Sequence, residues 1–417
     1  MQRIIKNISK TLYLLLLLTL FNGCAEIEPI NSKRNIDHTI IIYMAADNNL
    51  TGYVDDNIDK MRAAMNHDIS INNNLILYVD KLNQKPCLLN IYNNKIDTIA
   101  VYQEMNSTDS QVFSRVIDQI IENYPSPSYG LIMWSHGSGW LHQNTLSYIS
   151  SNIFGAQQRD GAYRVAERTI SPISDRLREP ARPILTKAFG YEQREGGTWM
   201  ELSDMADELP DNRFDYILFD ACSMANIEVI YALRNKSDYF IGSAYEIMAN
   251  GFPYDKIIKP LCNGEYSIVC QHFYDDYNML SGVDRTAGIA LVDNHQIDSL
   301  ANCFRKIVAT HSEIMSEPNV EKVQRLDRYT RVVSFDMMDF LMKQLPAEDP
   351  LMMEFASQFN KAVPYRISTP MFLNMLTIKS YCGISMYVPL PQYKSVITPY
   401  FLKTEWSNFT NYGKQYH

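Results

Sequence analysis

His136 and Cys222 are the two side chains whose placement most suggests chemistry. His136 follows the apolar run Gly130 to Trp134 and precedes Gly137. Cys222 follows the run Phe214 to Phe219, with Asp220 two residues before it. Short continuous apolar runs suit strands buried on both faces of a parallel sheet. In open α/β sheets ligands bind beyond the carboxyl ends of such strands. If these two strands are neighbours, the histidine and the cysteine meet at that edge although a long stretch of chain separates them. A cysteine attacks as the thiolate, and its free pKa is about 8.5. A nearby imidazole and a following helix N-terminus, expected near Ala225, both favour that form. Gly137 lets a substrate approach the backbone, and its N–H with that of Cys222 can hold a developing oxyanion. An extended backbone points Asp220 and Cys222 to one face. A carboxylate beside the nucleophile is a natural partner for a guanidinium.

Each residue also has a plain structural reading. Free cysteines are among the most buried residue types. A lone histidine at a strand end is commonly a satisfied core or surface residue, and Asp220 could simply cap the next helix. Spacing alone leaves both readings open. The sequence holds no GxSxG, HExxH, Walker loop or dinucleotide fingerprint.

The elements that would position these residues alternate. Thr39 to Met44 and Leu75 to Val79 read as further buried strands, and Tyr239 to Ser243 as a fifth. Val54, Ile58, Met61 and Met65 recur at helical spacing. Cys87 to Tyr92 and Lys95 to Tyr102 flank Asn93-Asn94, a hairpin signal. Ser107 to Ser110 offers caps for a helix carrying Val112, Val116 and Ile120, and Ala225 to Leu233 reads as another helix. Strand–helix alternation predicts an α/β fold with a mostly parallel sheet covered on both faces. Between the third and fourth strands runs a poorly periodic, Arg-rich excursion, 141–196, with helical patterning resuming over Trp199 to Leu209. A loop this long in a compact domain is usually functional or disordered. After residue 255, Ile268 to Leu280 and Ile297 to Ile314 read as helices, and Gly288 to Val292 and Gly383 to Val388 as strands. That half, 256–417, is expected to be a C-terminal α/β extension or a second lobe of a core spanning 38–255.

Thr39-Ile-Ile-Ile-Tyr-Met-Ala-Ala-Asp-Asn-Asn-Leu50, Trp134-Ser-His-Gly137 and Phe219-Asp-Ala-Cys-Ser-Met224 together resemble the clostripain family of cysteine peptidases, of the caspase-like clan. Tyr239 to Glu246, Gly251-Phe-Pro-Tyr254 and Gly383 to Pro389 extend the resemblance over most of the chain after residue 38. It implies a caspase-like αβα sandwich and an endopeptidase with a His136/Cys222 dyad, cutting after Arg or Lys. It implies Asp220 as the reader of the basic residue. It also implies an inactive precursor cut in the 141–196 loop, where Arg159, Arg164, Arg168, Arg176, Arg178 and Arg182 are the candidates. No cofactor is expected. Some members need calcium, but nothing here resembles an EF-hand loop, so no metal ligand is singled out. By resemblance alone, Asp47 and Glu246 fall near the active edge. Ser223 stands where a bulkier residue, often Leu, is common. The rival from another class is a lipid-anchored peptide- or protein-binding protein on an inactive peptidase scaffold.

The first 23 residues carry Arg3, Lys6 and Lys10 before the apolar run Leu12 to Phe21. That run is too short to span a bilayer, which takes about 20 residues, and reads as an export signal. Phe21-Asn22-Gly23-Cys24 resembles a lipoprotein cleavage box, which makes Cys24 a candidate lipidation site, 24–37 a tether and the location a bacterial cell envelope. A plain signal peptide with an incidental cysteine is the alternative. The remaining cysteines show no CxxC pair or disulfide framework. With 38 basic and 47 acidic residues among 417, the net charge of −9 argues against nucleic acid as a partner. A 46% hydrophobic composition excludes a disordered chain.

Overall fold

The computed structural model describes residues 34–142, 145, 189–194, 197–329 and 331–414. The strands in chain order are β1 (His38–Ala46), β2 (Asn73–Lys81), β3 (Cys87–Tyr92), β4 (Lys95–Val101), β5 (Ser128–Trp134), β6 (Phe189–Glu192), β7 (Thr198–Met200), β8 (Phe214–Asp220), β9 (Ser237–Gly242), β10 (Gly288–Asp293), β11 (Phe335–Asp336) and β12 (Tyr365–Ser368), followed by three two-residue strands, Met371–Phe372, Leu376–Thr377 and Ser385–Met386. Nine of them form one sheet in the order β12-β10-β9-β8-β5-β1-β2-β3-β4. The centre, β9-β8-β5-β1-β2, is parallel. Both margins are antiparallel. The strands from the second half of the chain, β10 and β12, continue this sheet at one margin.

Alternation along β1 shows why the sheet is covered on both sides. Ile41, Tyr43 and Ala45 enter one apolar cluster, with Phe113, Ile120, Ile230 and Phe304. Ile40, Ile42, Met44 and Ala46 enter the other, with Ile58, Met61, Ile257 and Phe273. A period of two splits the side chains between faces, and both faces are dry, so the run reads as continuously apolar. Burying each isoleucine contributes about 2 kcal/mol. Helices Val54–Ala64, Tyr254–Cys262 and Tyr266–Asn278 cover one face. Helices Ser110–Asn123, Ile227–Leu233 and Ile297–Thr310 lie on the other. The layers are α, β, α.

Local signals act as expected in several places. Asn93 and Asn94 both take positive φ, 48° and 59°, in the two-residue turn between β3 and β4. Asp109 caps the helix Ser110–Asn123 by accepting from Gln111 N and Val112 N. Three boundaries differ. Thr198–Met200 is a strand paired with β6, and the helix is Leu202–Glu208. The helix from Ile297 ends at Thr310, and a separate turn of helix follows from Ser312 to Ser316. Only Ser385–Met386 of the run Gly383 to Val388 is strand, paired with β11.

Candidate active site

The β5–β8 register brings the histidine and the cysteine together. Trp134 pairs with Asp220, so His136 and Cys222 stand at equivalent steps past the last pair. Gly137 then lies against Cys222. A Cβ at Gly137 would sit 2.5 Å from Cys222 O and 3.1 Å from Cys222 N. No side chain fits there, and the two amides chosen for an oxyanion hole belong to touching stretches of backbone. Gly190 N donates to His136 O at 3.0 Å, so β6 also clasps the histidine turn.

His136 is 8% exposed. Its Nε2 lies 2.7 Å from Asn49 Oδ1. With that oxygen as acceptor, Nε2 carries the proton and Nδ1 keeps the lone pair. Burial pulls the imidazole pKa down to about 4. Cys222 is partly buried, and its Sγ donates to Ile247 O at 3.7 Å. Desolvation first, and the Glu246 carboxylate second, push the thiol up to about 12. At neutral pH this arrangement is therefore a neutral thiol and a neutral imidazole.

The helix expected from Ala225 begins two residues later. The helix starts at Ile227, and Asn226 caps it with its own side chain, accepting from Val229 N at 3.0 Å. Ala225 cannot begin it because its N–H donates to Ser243 O and its carbonyl accepts from Ser385 N. Ser223, next to the nucleophile, has φ +57°. That left-handed conformation costs a serine about 1–2 kcal/mol and is held by its N–H donating to Tyr245 O.

Asp220 is 4% exposed at the end of β8. Its Oδ2 accepts from Phe252 N at 3.1 Å and Tyr254 Oη at 2.8 Å. Gly251, at φ +67°, allows this approach, because a Cβ there would overlap the carboxylate. Among the described residues no salt bridge reaches Asp220, and the Lys60 charge acts on it only from a distance. Burial raises its pKa to about 6, against the pull of its two donors. Asp220 and Cys222 thus face the same segment, 245–254.

Three participants had only a faint sequence signal or none. Asn49 sits in the turn just past β1, the strand beside β5, and only the Asn-Asn after an apolar strand hinted at it. Glu246 is joined by Arg328, whose Nε lies 2.8 Å from Glu246 Oε1. Arg328 comes from a turn that Asp327 fastens by accepting from Val333 N and Ser334 N, each at 2.8 Å. Its charge acts on Cys222 in the opposite sense to that of Glu246. No local pattern in the sequence marks it.

One group of carboxylates is close enough to share an ion. One oxygen each from Asp47, Glu104 and Glu192 lies within 4.8 Å of the others. Asp80 adjoins them, and burial raises its pKa to about 7 and that of Glu192 to about 9. Cys24 and Arg159, Arg164, Arg168, Arg176, Arg178 and Arg182 lie outside the described residues. The six cysteines within them are all free.

The model of the clostripain family matches residues 42–177 and 174–417. The chain belongs to the clostripain family. Clostripain from Hathewaya histolytica is 25% identical over 319 residues, covering 67% of this chain and 52% of that protein. The chain thus spans about half the length of this curated relative. An inactive zymogen protease from Parabacteroides distasonis is 26% identical, with TM-score 0.72 over 91% of this chain and 99% of that one. A secreted cysteine protease from Bacteroides thetaiotaomicron has TM-score 0.71 at 24% identity, over 91% of this chain and all of that one. The caspase-like architecture expected for the clostripain family is the one observed.

Proposed function

We propose that this clostripain-family chain is a cysteine endopeptidase that cuts after Arg or Lys. Cys222 Sγ attacks the substrate carbonyl and its proton passes to His136, whose free lone pair is on Nδ1. The oxyanion is held by the N–H groups of Gly137 and Cys222. His136 then protonates the leaving amine as the C–N bond breaks. Water next attacks the thioester, giving a proton to His136, which returns it to the departing Cys222 sulfur.

The observation that carries the specificity is Asp220. It is a buried anion beside the nucleophile, with two neutral donors and, among the described residues, no ion pair, Lys60 acting on it only from a distance. A buried carboxylate without a counter-charge is costly, and a substrate guanidinium or ammonium supplies that charge. Both the neutral His136/Cys222 pair and the Arg328–Glu246 contact beside it suit a resting precursor. A relative bears the description of an inactive zymogen. Cleavage in the 141–196 loop is the proposed release, with β6 as the element that transmits it to His136. The N-terminal segment is proposed to anchor the chain to a membrane of the cell envelope through Cys24, and protein or peptide is the partner.

The test uses residues 25–417, wild type beside Cys222→Ala, with peptides ending in Arg, Lys, Ala or Asp before the reporter. Turnover of the Arg or Lys peptides by wild type alone is expected, with a loss of at least about a thousandfold in the variant. Mass spectrometry should find a nick between 141 and 196. No turnover after trypsin has nicked that loop would favour the binding-protein reading. Fatty-acid label that appears on wild type and not on Cys24→Ala is expected for the anchor; label on both would remove it.

A further inference from the structure

We propose that Asn226 is a positioning residue of the peptidase site, whose side-chain amide fixes the nucleophile turn against the histidine turn; the proposal rests on Cys222 being the nucleophile. Asn226 is buried just before the helix that follows Cys222. Its Oδ1 accepts from Val229 N at 3.0 Å, as a helix cap does. Its Nδ2 donates to Ser223 O at 2.7 Å, a bond that capping does not require. A backbone N–H faces one end of the amide and a carbonyl faces the other, so its partners fix which way the group points. Aspartate and serine cap a helix about as well as asparagine. Of the three, only asparagine reaches back with an N–H to a carbonyl while a separate oxygen caps the helix.

That carbonyl belongs to the strained residue beside the nucleophile. Ser223, at φ +57°, has a conformation that an L-residue keeps only when its surroundings enforce it. Ser223 N donates to Tyr245 O at 3.0 Å, which holds the peptide plane between Cys222 and Ser223. The Asn226 amide holds the next plane, between Ser223 and Met224. With both planes held, Ser223 cannot leave the left-handed region. Cys222 O and N then stay packed against Gly137.

The same amide touches the histidine turn. A Cβ on Gly139 would lie 2.0 Å from Asn226 Nδ2 and 2.9 Å from Ser223 O. Gly139, at φ +70°, therefore lays its bare α-carbon over the bond between Asn226 and Ser223. Asn226 is itself rigidly mounted. Its backbone bridges Ser385, and its N–H donates to Met224 O at 2.9 Å. The preceding residue, Ala225, is bonded on both sides, to Ser243 and Ser385. One side chain thus sets the spacing of the turns that carry His136, Cys222 and the two N–H groups of the oxyanion hole.

The test compares the wild type with Asn226→Ser, which is neutral, and Asn226→Asp, which is isosteric. Both keep a capping oxygen and remove the amide donor. In both, kcat for the Arg peptide should fall about a hundredfold, with KM and Tm little changed. Amide exchange at Ser223 should quicken while exchange at Val229 does not. In a Ser223→Gly background the loss caused by Asn226→Ser should shrink to a few-fold, because glycine keeps the left-handed conformation unaided. Unchanged kcat in both variants, or an equal loss with and without Ser223→Gly, would reduce Asn226 to a helix cap and overturn the proposal. So would a loss that merely follows a fall in Tm, or one confined to Asn226→Asp, which would be an effect of its charge. If the wild type cleaves no peptide, the reading of Cys222 as the nucleophile fails instead. Exchange at Ser223 then decides the role of Asn226: quickened in both variants, it upholds the hold on the turn, and unchanged, it removes it.

Discussion

Asp220 and the pair Asp80–Glu192 are all buried carboxylates near the same edge of one sheet, and they are handled in opposite ways. Asp220 has a hydroxyl and an amide aimed at one of its oxygens and sits alone. Asp80 and Glu192 share a single serine and crowd against Asp47. The first arrangement leaves one anion whose missing partner is one cation of side-chain size. The second leaves several anions that must share protons and the single Arg194 guanidinium. Burial raises the pKa in both, so the shift alone does not tell a specificity pocket from a structural carboxylate cluster. The number of competing carboxylates and the number of donors do.

The contrast is most strongly tested at Asp220. Asp220→Asn should lower kcat/KM for Arg and Lys peptides about a hundredfold, as expected for losing a buried charge pair. Activity on an Ala peptide should change little. The same loss should appear in wild type as pH falls through about 6, where Asp220 takes up a proton. An equal loss on the Ala peptide would make Asp220 structural and end the contrast.

Asp80→Asn should have the reverse profile, with no change in substrate preference but a change in stability. The folded-state pKa of Asp80 is raised, so its contribution is fully present below about pH 4 and is lost as pH rises through about 7. At pH 8 the variant should therefore melt a few degrees above the parent protein, and the gain should vanish by pH 4. Scanning calorimetry across that range checks it.

Tyr254→Phe removes one of the two donors on Asp220. A stability loss of about 1–2 kcal/mol is expected by urea unfolding. KM for Arg peptides should move no more than a few-fold. The smallest effects belong to the pair beside the nucleophile. Glu246 raises the Cys222 pKa and Arg328 lowers it. Alkylation of Cys222 by iodoacetamide at pH 8, followed by peptide mass spectrometry, should be a few-fold faster in Glu246→Gln and a few-fold slower in Arg328→Ala.

The fold was largely legible because its strands are doubly buried. Thr39 to Met44 and Phe214 to Phe219 carry no polar alternation, and their order among turn signals indicates a parallel sheet before any contact is known. His136 and Cys222 were legible because the register places them at matching steps. The antiparallel strand β12 was not, because Tyr365–Ser368 is short and half polar at a sheet margin. The start at Ile227 was missed because Ala225 is apolar and helix-favouring, yet its backbone is already committed to Ser243 and Ser385. Asn49, Arg328 and the Asp47–Glu104–Glu192 group were hidden for a common reason. Their partners come from other turns of the sheet, and no periodicity within one segment registers a meeting of that kind.

The position of β5 in the sheet has a consequence for a cleaved molecule. β5 precedes residues 142–188 in the chain and β6 follows them, yet β5 lies between β1 and β8 and is laddered to both. A cut there divides the chain into two fragments that share one sheet and both apolar layers. The product is in effect a heterodimer. It should stay together through gel filtration, separate only in denaturant, and regain its structure at a rate that depends on the concentrations of both pieces.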